Sequence, residues 1–226
     1  MVEIEQSAFL LHSRPYRENQ QIVEFLTENN GKTSAIVYVG KTLKSNKKGL
    51  LQPFSPLNII LKGNGSLKLL SRVEASEKSY KLTGNYLYSG FYLNELLVRL
   101  LGEHIECSEL YLQYKNSLLA LLTCQPLELI LRHFEMTLLD ELGQCFDFSP
   151  VFEIDCATFY YVKEQGFIPA VTKMNTPCYD QKHIQAIAQQ QFTDKNVLHS
   201  YKLLMRQIIN HFLDGKPLHS RKLFIK

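Results

Sequence analysis

Four ammonium groups fall within eight residues at Lys41, Lys44, Lys47 and Lys48, and no acidic residue lies between Glu28 and Glu74 to balance them. Nearer the N-terminus, Arg14-Pro15-Tyr16-Arg17 sets two guanidinium groups about an aromatic ring. Cations on flexible stems neutralise phosphates, and rings give unpaired bases a surface to stack on. The pattern therefore suits single-stranded nucleic acid held without sequence reading. A second basic stretch closes the chain: from Lys195 to Lys226 there are seven Lys or Arg and one acid, Asp214. Within it Lys202, Arg206, Lys216, Arg221 and Lys222 are candidates to extend a phosphate path. The net charge is only +3, but residues 1–80 carry 11 basic against 7 acidic side chains, and residues 81–226 carry 14 against 15. Positive charge sits at the two ends of the sequence, as a protein with an anionic partner arranges it.

The chemistry of catalysis is missing. Gly-Lys-Thr occurs at 31–33 and 40–42, but a phosphate loop needs a glycine five residues earlier, where Leu26 and Ala35 stand. No Gly-x-Ser-x-Gly elbow and no His-Glu-x-x-His pair occurs. Asp140, Glu141, Asp147, Glu153 and Asp155 are close enough in sequence to suggest a divalent metal, yet acids at a helix end and in loops are ordinarily solvated. Cys145, Cys156 and Cys178 lack the paired C-x-x-C knuckles of a zinc ribbon. The reading is a non-enzyme without cofactor or metal.

These groups need elements to position them. Short apolar and β-branched runs at 4–12, 21–27, 33–39, 57–61 and 67–73 read as strands, with turn chemistry at Asn29-Asn30-Gly31 and Gly63-Asn64-Gly65. Five strands in so short a stretch predict a small closed barrel of the OB type, with the lysine loop leaving it between Gly40 and Pro56. From Gly84 the period becomes helical. Helices are predicted over about 87–101, over 108–123 with Ser108 as cap, and from Pro126 to a stop at Gly143, the last with Leu127, Ile130, Leu131, Phe134, Leu138 and Leu142 on one face. An irregular stretch at about 144–178 contains a hairpin turning at Gly166, and helices near 180–190 and 194–213 follow. The expected fold is α+β: an OB-type barrel domain over 1–80, then a mostly helical domain over 81–226 with the irregular insertion.

Composition agrees. Hydrophobic residues make up 45% and charged residues 21%, the balance of a chain that folds rather than stays disordered. The first residues carry no secretory pattern, no long apolar run suggests a membrane span, and five widely spaced cysteines do not form a disulfide framework. A cytoplasmic protein that does not touch membranes, monomeric on its own, is expected.

Several segments resemble the bacterial recombination mediator family RecO. They are Ala8 to Pro15, Lys48-Gly49-Leu-Leu51-Gln52-Pro53-Phe54, Leu87 to Leu97, Arg132-His-Phe134-Glu135 through Leu138, Leu139, Leu142 and Gly143, and Gly215-Lys216-Pro217-Leu218-His-Ser220-Arg221-Lys-Leu223-Phe224. The matches are ordered, span nearly the whole chain, and resemble the enteric-type branch. The resemblance implies an OB domain and a helical domain that bind single- and double-stranded DNA, anneal complementary strands, and help load RecA recombinase onto strands coated by single-strand binding protein (SSB). It implies RecR and the acidic SSB C-terminal tail as partners. Some members carry a four-cysteine zinc motif where this chain has 144–178; this sequence departs from that pattern.

Under this reading Lys41, Lys44, Lys47 and Lys48, with Arg14 and Arg17, line the barrel groove. An acidic tail ending in an aromatic residue wants an apolar pocket rimmed by cations, for which Leu131, Phe134 and Leu138 beside Arg132 are the candidates. The rival readings are a protein adaptor whose basic loop serves only solubility, and a metal-dependent nuclease using the carboxylates between 140 and 155.

Overall fold

The computed structural model describes residues 3–39 and 47–224, with Lys47 and Lys48 described by backbone alone. Five strands, β1 (Glu3–Arg17), β2 (Gln20–Thr27), β3 (Gly31–Tyr38), β4 (Pro56–Lys62) and β5 (Leu67–Ala75), close a barrel in the order β1-β2-β3-β5-β4. The pairs are antiparallel except β3 with β5, which is the ordering of an OB fold. A four-residue helix, α1 (Lys47–Leu50), precedes β4. Alternation puts Ala8, Leu10, Val23, Phe25, Ala35, Val37, Leu57, Ile59, Leu61, Leu70 and Val73 inside the barrel, all buried.

β1 does two jobs. Its first half pairs with β4 from Glu3 to Phe9, and its second half pairs with β2 from Ala8 to Arg17. The register slips between Leu10 and His12 and again between Pro15 and Arg17. Such bulges bend a strand, and here the bend lets one strand join both edges and close the barrel. Pro15 is tolerated because β4 has already left that side of the strand, so no ladder hydrogen bond is lost there.

The β2–β3 turn depends on Gly31, whose φ is +57°. A Cβ there would stand 1.8 Å from the Ile105 carbonyl oxygen, in the loop that lies against the start of β3. That loop is fixed by the His104 amide donating to the Lys32 carbonyl at 2.9 Å and by the Ser34 hydroxyl donating to Glu103 at 2.5 Å. Only glycine combines this backbone conformation with so close an approach.

Helices α2 (Gly84–Leu100) and α3 (Ser108–Leu122) follow, then α4 (Leu127–Glu141), the short α5 (Ser149–Glu153), a three-stranded sheet of β6 (Thr158–Val162), β7 (Gly166–Pro169) and β8 (Cys178–Asp180), α6 (Gln181–Ala188) and α7 (Lys195–Phe212), and a closing 3₁₀ helix at Ser220–Phe224. Two expectations are corrected here. Cys107, not Ser108, is the N-cap of α3, and its side chain makes no capping bond. The hairpin at Gly166 gains a third strand, β8, which pairs with β6 and places Asp180 to cap α6 through the Lys182 amide.

Contacts divide the chain into two compact units, one of residues 1–127 with 218–226, the other of Glu128–Pro217. The change of period near residue 80 therefore falls inside a unit, because α2 and α3 pack on the barrel: the Phe9 ring meets those of Tyr111 at 5.7 Å and Tyr114 at 5.2 Å. The second unit has its own core of Leu139, Val151, Phe159, Tyr179, Ile184, Leu204, Met205 and neighbours, built from α4, α5, the small sheet, α6 and α7.

The C-terminal segment joins the first unit through one carboxylate. Glu95 on α2 accepts the amides of His219 and Ser220, both at 2.8 Å, and the Ser220 hydroxyl at 2.6 Å, with Arg99 at 3.6 Å. Partial burial pushes the Glu95 carboxyl up, but the Ser220 and His219 donors and the Arg99 charge outweigh it and hold the group below its ordinary value of 4.5. A carboxylate depressed in the folded state stabilises fully above its unfolded pKa and loses that contribution as pH falls through the folded one. Glu95→Gln is expected to cost about 1–3 kcal/mol at neutral pH. The deficit relative to wild type should shrink below pH 4.5, as followed by urea unfolding across pH and by hydrogen exchange at the 219 and 220 amides.

Candidate nucleic-acid interface

In an antiparallel ladder, directly opposed residues share a face. Past its first bulge β1 places Arg14 opposite Ile22, which is opposite Ile36, and Ile36 is in register with Leu69 of β5. One row further on, Arg17 is opposite Gln20 and Gln20 is opposite Tyr38. Ala35 and Val37 are wholly buried in the barrel, so the intervening Ile36 and Tyr38 lie on its outer face, with Tyr38 exposed, Ile36 partly so and Ile22 of the same row covered. Arg14, Arg17 and Tyr38 are exposed, as are Leu67 and Leu69. The result is an apolar strip flanked by two guanidinium groups that make no ion pair among the described residues. The acids nearest in sequence and register are Glu18, in the turn after Arg17, and Glu24, one row from Arg14.

The Arg17 guanidinium carbon stands 5.1 Å from the centre of the Tyr16 ring, within cation–π range. Sequence reasoning picked out Arg14, Tyr16 and Arg17 but passed over Tyr38, whose signal was its place as the last residue of a strand entering the lysine loop. Lys41 and Lys44 lie outside the described residues, and the side chains of Lys47 and Lys48 do too.

The remaining cations divide by what already holds them. Lys32 is buried, donates to the Val98 carbonyl at 2.8 Å, and is pushed below the usual lysine value by burial, against the pull of Glu24 and Glu103. Arg221 and Lys222 lie in the C-terminal 3₁₀ helix of the first unit, Lys222 exposed and Arg221 partly so. In the second unit Lys202 is 2.6 Å from Glu128, while Arg206 and Lys216 are exposed. The expected phosphate path is thus split between the two units.

The α4 cluster faces inward. Phe134 and Leu138 are wholly buried, Leu131 is 9% exposed, and Arg132 only 3%. Arg132 donates to Glu135 at 2.6 Å one turn along the same helix, and Glu135 is 1% exposed. The two charges neutralise each other in the interior, next to Tyr201, whose hydroxyl is held well above its ordinary value mainly by burial. The Nε and NH1 groups of Arg132 have no hydrogen-bond partner among the described residues. As it stands, α4 offers these four side chains to the core rather than to a peptide.

Cys145, Cys156 and Cys178 are not brought together with one another among the described residues. The Cys156 thiol donates to the Thr158 carbonyl at 3.2 Å, and no three His, Cys, Asp or Glu among the described residues come together to hold an ion. No described helix is long and apolar enough to cross a membrane.

Two family models match the chain as far as α5: recombination protein O N terminal matches residues 1–78, and recombination protein O C terminal matches residues 82–153. The chain belongs to the RecO family. Among curated members, the DNA repair protein RecO of Enterobacter sp. is 38% identical, over 97% of this chain and 95% of its own length. Those of Salmonella dublin and Klebsiella pneumoniae are 37% identical over 97% of this chain, and over 93% and 91% of their own. The junction of the RecO models falls between the last barrel strand and α2, so the N-terminal model is the OB barrel.

Removing one partner of a buried ion pair strands the other charge, which typically costs about 3–5 kcal/mol, whereas replacing both by apolar groups of similar volume is often neutral or better. Arg132→Ala is therefore expected to destabilise by about that amount, and Arg132→Met with Glu135→Leu to recover most of it. Urea denaturation of the single and double variants measures both.

Proposed function

We propose that this chain is a stoichiometric, non-catalytic DNA-binding recombination mediator that anneals complementary strands and assists RecA loading onto SSB-coated single strands. The observation that carries the reading is the pair Arg14 and Arg17, exposed and without an ion pair among the described residues, on the outward face of an OB barrel in a chain of the DNA repair RecO family. Phosphates of single- or double-stranded DNA meet these two groups and the lysines at 41, 44, 47 and 48. Arg206, Lys216, Arg221 and Lys222 extend the screening needed to bring two polyanions together. Lys202 contributes least, since Glu128 already neutralises it. Work of this kind places the protein in the cytoplasm, with RecR and SSB as partners.

The SSB tail is proposed to engage α4, a reading supported by the Nε and NH1 nitrogens of Arg132, left without acceptors among the described residues, which a tail carboxylate would satisfy. Entry there has to open the packing of Leu131, Phe134 and Leu138. The Arg132→Met/Glu135→Leu variant, once urea denaturation shows it folded, is expected to lose affinity for an acidic peptide ending in phenylalanine while keeping its affinity for DNA. Undiminished peptide binding in a fluorescence titration would move the tail off this helix.

The DNA reading is tested on the lysines. Replacing Lys41, Lys44, Lys47 and Lys48 with Ala removes up to four counterion-releasing contacts, each worth about 0.7 in the slope of log K against log salt for a single strand. The slope should become shallower by about 2–3 units, with affinity falling alike for every sequence, because ammonium groups on phosphate carry no base information. An unaltered slope in the folded variant would reduce the loop to solvated surface and leave the adaptor reading standing.

A further inference from the structure

Of the chain's twelve tyrosines, ten are buried or half-buried. The two exposed ones, Tyr16 at 44% and Tyr38 at 56%, both lie on the barrel strands that carry Arg14 and Arg17. At a strand end and 56% exposed, Tyr38 lacks the burial by which an interior tyrosine such as Tyr114 is held, and its hydroxyl has no partner among the described residues. Its row sets it across Gln20 from Arg17, three residues before Lys41 in the sequence.

We propose that Tyr38 is a base-stacking platform, with the Arg17-covered Tyr16 ring as a second, and that these rings make the barrel face prefer single-stranded over duplex DNA. The inference rests on the DNA-binding reading above and adds a specificity-determining residue to it. Cations bind the phosphates of either form, and duplex carries the denser charge, so charge alone does not favour a single strand. Exposed π-faces are what distinguish the two: an unpaired base presents one to Tyr38, whereas in a duplex both faces of each base are covered by its neighbours. The exposed Leu67 and Leu69, and Ile36 between Leu69 and the arginines, continue an apolar surface over which sugars and bases can lie. Because every base has a π-face, the platform discriminates strandedness without sequence.

The chain contains no tryptophan, so Tyr38→Trp places a single indole at the site, excited selectively at wavelengths where tyrosine does not absorb. The substitution is at an exposed position, where a change of side chain leaves the fold nearly unaffected. With an oligothymidylate as probe, the indole emission is expected to be quenched on binding, and much less on binding a duplex of equal length at equal saturation. Labelled-DNA anisotropy should show Tyr38→Ala weakening the single strand about 5- to 100-fold and the duplex little. The salt slope should stay unchanged, because no phosphate contact is lost, and Tyr38→Phe should restore affinity. Binding of the oligothymidylate with unquenched indole, or equal losses for single strand and duplex in Tyr38→Ala, would overturn the stacking role and leave the DNA reading intact. Absence of DNA binding by the wild-type chain at low salt would remove both.

Discussion

A buried asparagine fixes the geometry on which the rest of the first unit depends. Asn94, on α2, donates through Nδ2 to the Leu11 carbonyl at 3.1 Å and accepts the Tyr114 hydroxyl at Oδ1 at 2.5 Å. Leu10 and Leu11 stand at the bulge of β1, where pairing with β4 has ended and the register to β2 slips. A carbonyl left without a partner in the interior is expensive, on the order of 1–3 kcal/mol, and water cannot reach this one. Asn94 supplies the donor, and Tyr114, buried so completely that its hydroxyl is held far above the ordinary phenol value, fixes the amide's orientation. The bulge persists because the helices satisfy it. The bent strand beyond it then carries Arg14, Tyr16 and Arg17 out to solvent.

The cations sort by burial into structural and available groups, and their charge alone does not tell them apart. Lys32, Lys202 and Arg132 each have an acceptor within 2.8 Å, namely the Val98 carbonyl, Glu128 and Glu135. For the buried Arg132 the partner is a necessity, since an unpaired interior charge costs several kcal/mol. Arg14 and Arg17 make no ion pair among the described residues and lie on a strand that the barrel holds in place. Their backbone is therefore fixed before a phosphate arrives, and only side-chain freedom remains to be lost on binding.

Local pattern made much of the fold readable. Period-two runs and the glycine turns located β2 to β5 to within two residues, whereas β1 runs on from the expected end at His12 to Arg17; Pro126, Gly143, Asp180 and Asp194 marked helix ends that the backbone uses. What escaped was long-range. β8 is three residues long and exists only because it pairs with β6. The unit boundary at 127 follows from Phe9 meeting Tyr111 and Tyr114, contacts that no window on the sequence contains. On α4 the apolar face was legible, but Arg132 looked like the rim of a pocket. Its carboxylate partner three residues on lies on the same helical face, and only burial shows that the pair is interior. Of the candidate interface, the arginines were visible as a cluster, whereas the row that sets Tyr38 beside them depends on strand register, which the turn lengths alone leave open.

The return of the C-terminus brings only the last part of the basic C-terminal stretch into the barrel's unit. Lys195, Lys202, Arg206 and Lys216 belong to the second unit, whereas the segment from Leu218 onward belongs with residues 1–127. Leu218–Lys226 packs with residues 1–127, through Glu95 and through the Tyr88 ring against that of Phe224 at 5.6 Å. Arg221 and Lys222 thereby join the barrel's unit although about 200 residues separate them from Arg17 in sequence. The carboxylate that makes the junction is an acid held ionised by the backbone amides it accepts, so the anchor survives in a strongly basic segment without depending on any lysine or arginine there. Lys222 is left exposed with its charge, whereas Arg221 is part-buried, one guanidinium nitrogen out of water and without an acceptor among the described residues, so that of the two Lys222 is the freer to meet an anion.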